Sequence, residues 1–321
     1  MVEYLFVLLM DNIRIMMVCG GAFAIPAIRE LTFFNQLIVV AVPGERNDIV
    51  EQLEAVLKGS DVVVLRLDMK IFSEQLREVI ETHTINLGFI MTFSRIIPAT
   101  VYTLPDKGFY NVHPGPLPSY RGPDPVFRQI INKAKYASIS IHLLTEKFDE
   151  GPVVFEDRIK MESGDTHGIL TSKLAQLAAN SLHIIIRLLS YDRAVQSKKQ
   201  NESRARYFKK QIADDVLINW DTMDAQSIIA LINACNPWNK GAVAKINGLI
   251  IRLVDAEIIE TETFENFVPG TIAAMDPNDI FIATLLRKII KVRTIYCPEG
   301  FLRAGWLRNF NINKGDKFGV L

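Results

Sequence analysis

Through residues 13–92 the chain alternates apolar runs of strand length with stretches whose apolar residues recur at helical spacing. The runs lie at 13–18 (IRIMMV), 37–42 (LIVVAV), 62–67 (VVVLRL) and 87–92 (LGFIMT), and the helix-like stretches at 24–31, 48–58 and 71–82. A strand followed by a helix and another strand pairs in parallel, because the crossover returns the chain to the same end of the sheet. The alternation therefore predicts a doubly wound, mostly parallel α/β sheet. In such sheets ligands gather at the carboxyl ends of the strands.

A fifth strand is expected at 109–113 (FYNVH), running into the Pro- and Gly-rich loop HPGPLPSYRG. Then come a helix at 125–133, strands at 137–144 and 153–160, and a long amphipathic helix at 165–190. The run SKKQNESRAR at 197–206 reads as a solvated linker, dividing a domain over 1–200 from a second over 207–321. The second carries one helix, 224–235, and short strand-like runs at 241–247, 249–258, 269–275, 279–285 and 289–296. Turns at Asn247-Gly248, Pro269-Gly270 and Pro277-Asn278 separate several of them, the pattern of a small OB-like β-barrel. The apolar run at 4–10 is expected to be an added edge strand or, if Met10 is the natural start, an upstream extension.

Charge limits the partners. Lys+Arg and Asp+Glu number 36 each, a balance that disfavours a protein built to coat nucleic acid. Cys19, Cys235 and Cys297 lack metal-ligand spacing, so neither a metal nor a disulfide is expected, and reduced buried thiols suit a cytoplasmic protein. No membrane partner is implied. His83, His167 and His183 read as lone surface or helix residues, and Trp220, Trp238 and Trp306 as packing anchors.

One constellation carries chemistry. Asn111 and His113 sit two apart at a strand end, so both face one side of the sheet. The loop after them is stiffened by Pro114, Pro116 and Pro118, while Gly115 permits close backbone approach. Asp149 leaves a later strand in TEKFDEG. A carboxamide that donates to an oxyanion, an imidazole that moves a proton and a carboxylate that orients it suffice for acyl transfer to an amine. His113 is expected to face solvent, beside an otherwise unpaired Asp149. Taken singly, each also reads as a hydrogen-bonded strand histidine and a turn-forming aspartate. His142 could support the site or simply fill the core.

The run FYNVHPGPLPSYRGPDPVFRQI resembles the signature of the 10-formyltetrahydrofolate-dependent formyltransferases, and SISIHLLTEKFDEGPVV resembles their second motif. GGAFAIPAIREL, ARYFKKQIADDVLINWD and INACNPWNKGA are similar to further segments of methionyl-tRNA formyltransferases, so the likeness covers nearly the whole chain. It implies a Rossmann-like catalytic domain with Asn111, His113 and Asp149 as catalytic residues and 10-formyltetrahydrofolate as formyl donor. It also implies a folate site on Met91, Thr92, Phe93 and Ser94 and on the 144–149 loop with Leu144, Thr145, Lys147 and Phe148, walled by Ile96. Gly21, Tyr120 and Arg121 would face the acceptor or the folate tail.

Three departures bear on the acceptor. The basic insertion typical of the tRNA enzymes after the second strand is replaced by the short VAVPGERNDIVEQL. From residue 201 onward there are 15 Lys/Arg against 14 Asp/Glu, 15 − 14 giving a net of +1. The loop has Gly115-Pro116 where the family usually has Ser-Leu. The expected acceptor is therefore a small-molecule amine, a nucleotide-linked amino sugar first, with methionyl-tRNA as the alternative and an idle folate-binding module as a third reading.

Overall fold

The structure, a computed structural model, describes residues 13–191, 195–260 and 267–319; the expectations for residues 1–12 lie outside it. The chain forms two compact units, one of residues 13–125, 136–160, 171–191 and 195–209, the other of 126–135, 161–170, 210–260 and 267–319.

In the first unit a seven-stranded sheet is built from β1 (Ile15–Cys19), β2 (Leu37–Pro43), β3 (Val63–Leu67), β4 (Leu87–Met91), β5 (Phe109–His113), β6 (Tyr136–Leu143) and β7 (Val153–Lys160). Their spatial order is β3-β2-β1-β4-β5-β6-β7, parallel through β5 and antiparallel for the last two pairings. Burial follows position. β1 (IMMVC) and β4 (LGFIM) are buried at every residue, as central strands covered on both faces must be. The edge strand β7 alternates more exposed and less exposed residues and carries Glu156, Asp157, Arg158 and Lys160.

The crossovers include α1 (Ile25–Phe33), α2 (Asn47–Val56) and α3 (Phe72–Thr82). Pro26 in the first turn of α1 occupies a position where its missing N–H costs nothing. α2 buries Ile49, Val50 and Leu53, one face at helical spacing. The strand order reverses beside β1, between the β2 and β4 sides, and the carboxyl ends of β4 and β5 open next to that reversal.

In the second unit, α7 (Ala225–Ala234), numbered after α4 (Ala99–Tyr102), α5 (Pro125–Ile131) and α6 (His167–Ser190), precedes an antiparallel sheet. Its strands are β8 (Ala242–Ile246), β9 (Leu249–Ile259), β10 (Ile272–Met275), β11 (Ile280–Ala283), β12 (Ile289–Cys297), β13 (Gly300–Arg303) and β14 (Phe318–Gly319). The order is β10-β11-β12-β9-β8-β14, with β13 on β12. The bridge Thr271–Lys317 and the bonds from Phe318 N to Gly270 O and from Ile272 N to Asp316 O join its two ends. The two ends of the strand path are thus joined as in a small barrel, while β13 pairs with β12 alone. Trp220 is fully buried against Phe318, but Trp238 and Trp306 are 44% and 51% exposed, so only the first is an interior anchor. In the first unit His183 is not partnerless, since its Nε2 lies 2.7 Å from Glu30 Oε2.

Candidate active site

The pairing of β5 with β6 determines which side chains meet. Asn111 stands opposite His142 and His113 opposite Ser140, so all four share one face of the sheet. Asn111 Nδ2 lies 3.0 Å from His142 Nε2. Ser140, wholly buried, donates to Gly115 O at 2.8 Å and accepts from Leu117 N at 3.0 Å, tying the proline loop to the strand beside it. A Cβ at Gly115 would sit 2.6 Å from Pro125 Cβ, so the glycine is required by a close approach inside the loop.

Asp149 is delivered by the loop between β6 and β7 in the left-handed region, at φ +57. Its Oδ2 accepts from Gly122 N at 2.8 Å. Its Oδ1 lies 3.4 Å from both His113 Nδ1 and Asn111 Nδ2, and 3.8 Å from His142 Nε2. His113, His142 and Asp149 are only 4%, 2% and 9% exposed. The expectation of a solvent-facing His113 beside an unpaired carboxylate is thereby corrected: a buried charge requires partners, and Asp149 has them.

The hydrogen bonds fix the tautomers. His113 Nε2 is 2.6 Å from Tyr120 O, and a carbonyl can only accept, so Nε2 carries the proton and Nδ1 presents its lone pair beside Asp149. His142 Nδ1 donates in the same way to Leu143 O at 2.8 Å, leaving Nε2 to accept from the Asn111 amide. Burial pulls the His113 pKa below its ordinary 6.5 despite the opposing pull of Asp149 and Tyr120 O, with His142 adding to the depression. Burial also pushes Asp149 upward, but His113, His142 and the Gly122 N–H outweigh it and bring the carboxyl down to about 2. At neutral pH the site therefore holds a carboxylate beside a neutral imidazole.

Two adjoining clefts open on these groups. The larger, about 270 Å³, is lined by Thr92, Phe93, Ser94, Asn111, His113, Pro114, Gly122, Phe148, Asp149 and Tyr207, among others. The smaller, about 70 Å³, adds Ile96, Leu144, Thr145 and Lys147. Met91 lines neither; it is buried in β4, with its carbonyl accepting from Gly20 N and Thr92 Oγ1. Gly21 also lines neither and backs onto the Thr92 hydroxyl, which a Cβ there would approach to 3.2 Å. Tyr120 contributes its carbonyl, while its ring packs 5.7 Å from that of Phe208. The Arg121 guanidinium is buried on Gln200 and Glu202 and does not reach either cleft.

Sequence reasoning gave the 195–209 segment no place at the site. Lys198 pairs with Val153, Arg121 N donates to Arg206 O, Phe208 N donates to Arg121 O, and Tyr207 stands in the larger cleft. The solvated-linker reading is corrected: the segment is docked along the site, and Gln200 within it is 7% exposed.

Residues 43–186 match the family model described as "Formyl transferase", and residues 211–300 match "Formyl transferase, C-terminal domain". The chain belongs to the formyl transferase family. It is an enzyme of that family, and the fold bears the expected mostly parallel sheet and antiparallel second unit. A methionyl-tRNA formyltransferase of Buchnera aphidicola subsp. Schizaphis graminum is 31% identical over 245 residues, covering 74% of this chain and 76% of that protein. Among solved structures, an N-formyltransferase from Helicobacter canadensis, in complex with folinic acid and dTDP-3-aminofucose, has TM-score 0.66 at 16% identity, covering 88% of this chain and 99% of that one. A HypX variant from Aquifex aeolicus has TM-score 0.65 at 16% identity; it covers 97% of this chain, which spans only 51% of that protein. Gln200 and Tyr207 fall between the two matched regions of the formyltransferase.

Proposed function

We propose that this formyltransferase moves a formyl group from 10-formyltetrahydrofolate to a primary or hydroxylated amine, with Asn111, His113 and Asp149 as its catalytic residues. The observation that carries the reading is the convergence of an imidazole, a carboxamide and a carboxylate on one cleft. The acceptor nitrogen attacks the formyl carbon while its proton passes to His113 Nδ1. The imidazolium so formed lies 3.4 Å from Asp149 Oδ1, and its Nε2–H keeps its bond to Tyr120 O. The loosely held Asn111 N–H, 3.4 Å from Asp149, turns to the developing oxyanion. The bond from the formyl carbon to the folate nitrogen then breaks, and His113 returns the proton to that nitrogen. Apolar Ile96, Leu144 and Phe148 offer walls for a flat ring, with polar backbone at 92–94 and 144–149 beside them.

For the acceptor, a small-molecule amine is favoured, a nucleotide-linked amino sugar first. The connection from β2 to α2 is only Gly44-Glu45-Arg46, and its one cation is engaged by Asp48 and by Gly20 O. A grip on a nucleic-acid backbone needs several uncompensated cations. A second reading, formylation of methionyl-tRNA, is favoured by the identity to enzymes of that name.

The test measures formyl transfer from 10-formyltetrahydrofolate to charged initiator tRNA and to a panel of amino-sugar nucleotides and hydroxyornithine. Transfer to tRNA alone would overturn the preferred acceptor. Donor at 100 times its Kd should stabilise the fold by ~2.7 kcal/mol, and an unmoved melting temperature would end the folate reading.

A further inference from the structure

We propose that Gln200 is a positioning residue for the reaction: a buried clamp, oriented by Arg121 and Glu202, that holds the Asp149 loop in its working conformation. The proposal rests on the catalytic role proposed for Asp149, and it concerns a segment outside both matched family regions.

The chain of contacts runs inward from the surface. Glu202 takes the Arg121 guanidinium in a two-pronged pair, Nη1 to Oε2 at 3.0 Å and Nη2 to Oε1 at 2.7 Å. Glu150 adds a looser contact at 3.7 Å. The same guanidinium donates to Gln200 Oε1 from Nε at 3.2 Å and from Nη2 at 2.9 Å. Gln200 Nε2 then donates to Asp149 O at 2.7 Å and to Gly151 O at 2.8 Å. All four hydrogen-bonding positions of this carboxamide are filled.

The chemistry dictates the orientation. A guanidinium only donates, so the carboxamide oxygen must face Arg121 and its two N–H groups must face the loop. Among common side chains of this length, glutamate would set oxygen against two carbonyls and methionine would supply no donor. What the clamp grips is a residue held at φ +57, a left-handed region that aspartate tolerates better than most residues but that still competes with the ordinary right-handed and extended conformations. Turning Asp149 back through this torsion would swing Oδ1 away from His113 and Oδ2 away from Gly122 N. His142, close to Asp149 Oδ1, is the other titratable group at this point.

The test is a double-mutant cycle of Gln200→Met and Asp149→Asn. It is assayed for transfer from 10-formyltetrahydrofolate to whichever acceptor class turns over, with melting temperatures recorded alongside. Methionine keeps the length and removes both donors. Alone, it should lower kcat by on the order of tenfold to a hundredfold, the scale of a misplaced catalytic group, with the donor KM little changed. In the Asp149→Asn background it should cost nothing further, because its effect passes through Asp149. An equal loss in both backgrounds, or unchanged kcat in the single variant, would overturn the clamp. Full turnover of Asp149→Asn would sink the functional reading instead, whatever Gln200→Met does. Should Gln200→Met fail to fold, Glu202→Gln enters the same cycle, with a smaller loss on its own and the same disappearance beside Asp149→Asn.

Discussion

The strand end 109–113 and the segment 195–209 both border the cleft, yet they came to order in opposite ways. Strand β5 (FYNVH) is of strand length, carries aromatic and β-branched residues and is followed by prolines, so its own residues favour its conformation. The segment is polar, with only a short 3-10 turn at Glu202–Arg204, and its path is set by bonds to Val153, Arg121, Asp149 and Gly151. Periodic burial writes itself into a sequence as a pattern. Irregular backbone held by scattered polar partners leaves no such pattern, and its polarity resembles that of a solvated linker.

Breaking each region should therefore have different consequences. The largest effect belongs to the strand end and the loop facing it. His113→Ala or Asp149→Asn should reduce turnover by about 10²–10⁴-fold, with the fold retained in circular dichroism. Next comes the docking of the segment. Gly122 has φ +114, and a Cβ there would lie 2.1 Å from Phe208 O, so Gly122→Ala should destabilise the first unit by about 2–3 kcal/mol, read by denaturant melts.

A pH experiment sharpens the same comparison. Asp149 is lowered from 3.8 to about 2, so its contribution to stability is complete above pH 3.8 and is lost as pH falls toward 2. The difference in stability between wild type and Asp149→Asn should shrink across that window by about 2 kcal/mol. His113 is depressed as well, so the unfolded chain takes up its proton first as pH falls below 6.5, and the fold loses stability from there down to the depressed value. Turnover should persist below pH 6.5 and fall only when His113 itself protonates. The smallest effect is expected from Tyr207→Ala. The ring lies on the cleft wall but is 58% exposed, so the KM of one substrate should rise about fivefold to tenfold with kcat nearly unchanged.

Much of the candidate site's geometry was legible in the sequence. Asn111 and His113 follow from strand alternation, and the barrel strands follow from their turns, although β13 and β14 escaped notice because each is too short to show a pattern. Arg121 illustrates the limit. The loop motif drew attention to it, but the motif could not show that its charge is satisfied by Glu202, 81 residues away. His142 had a usable signal. It sits two residues after Ser140 on a strand antiparallel to β5, and the register that pairs it with Asn111 becomes evident only once the two strands are aligned.

By itself the sequence determined the layer architecture, the mostly parallel pairing of the first sheet, the family and the strand end that carries the imidazole and carboxamide. These depend on periodicity and on short motifs, which are local properties. Only the tertiary structure decided that His113 is buried with its Nε2 on the Tyr120 carbonyl, that Asp149 is gripped from behind, and that a polar run borders the cleft. The bond from His113 to Tyr120 O spans only seven residues but exists only once the proline loop is folded back on the strand, and the bond from Gln200 to Asp149 O joins residues 51 apart, which no local window contains.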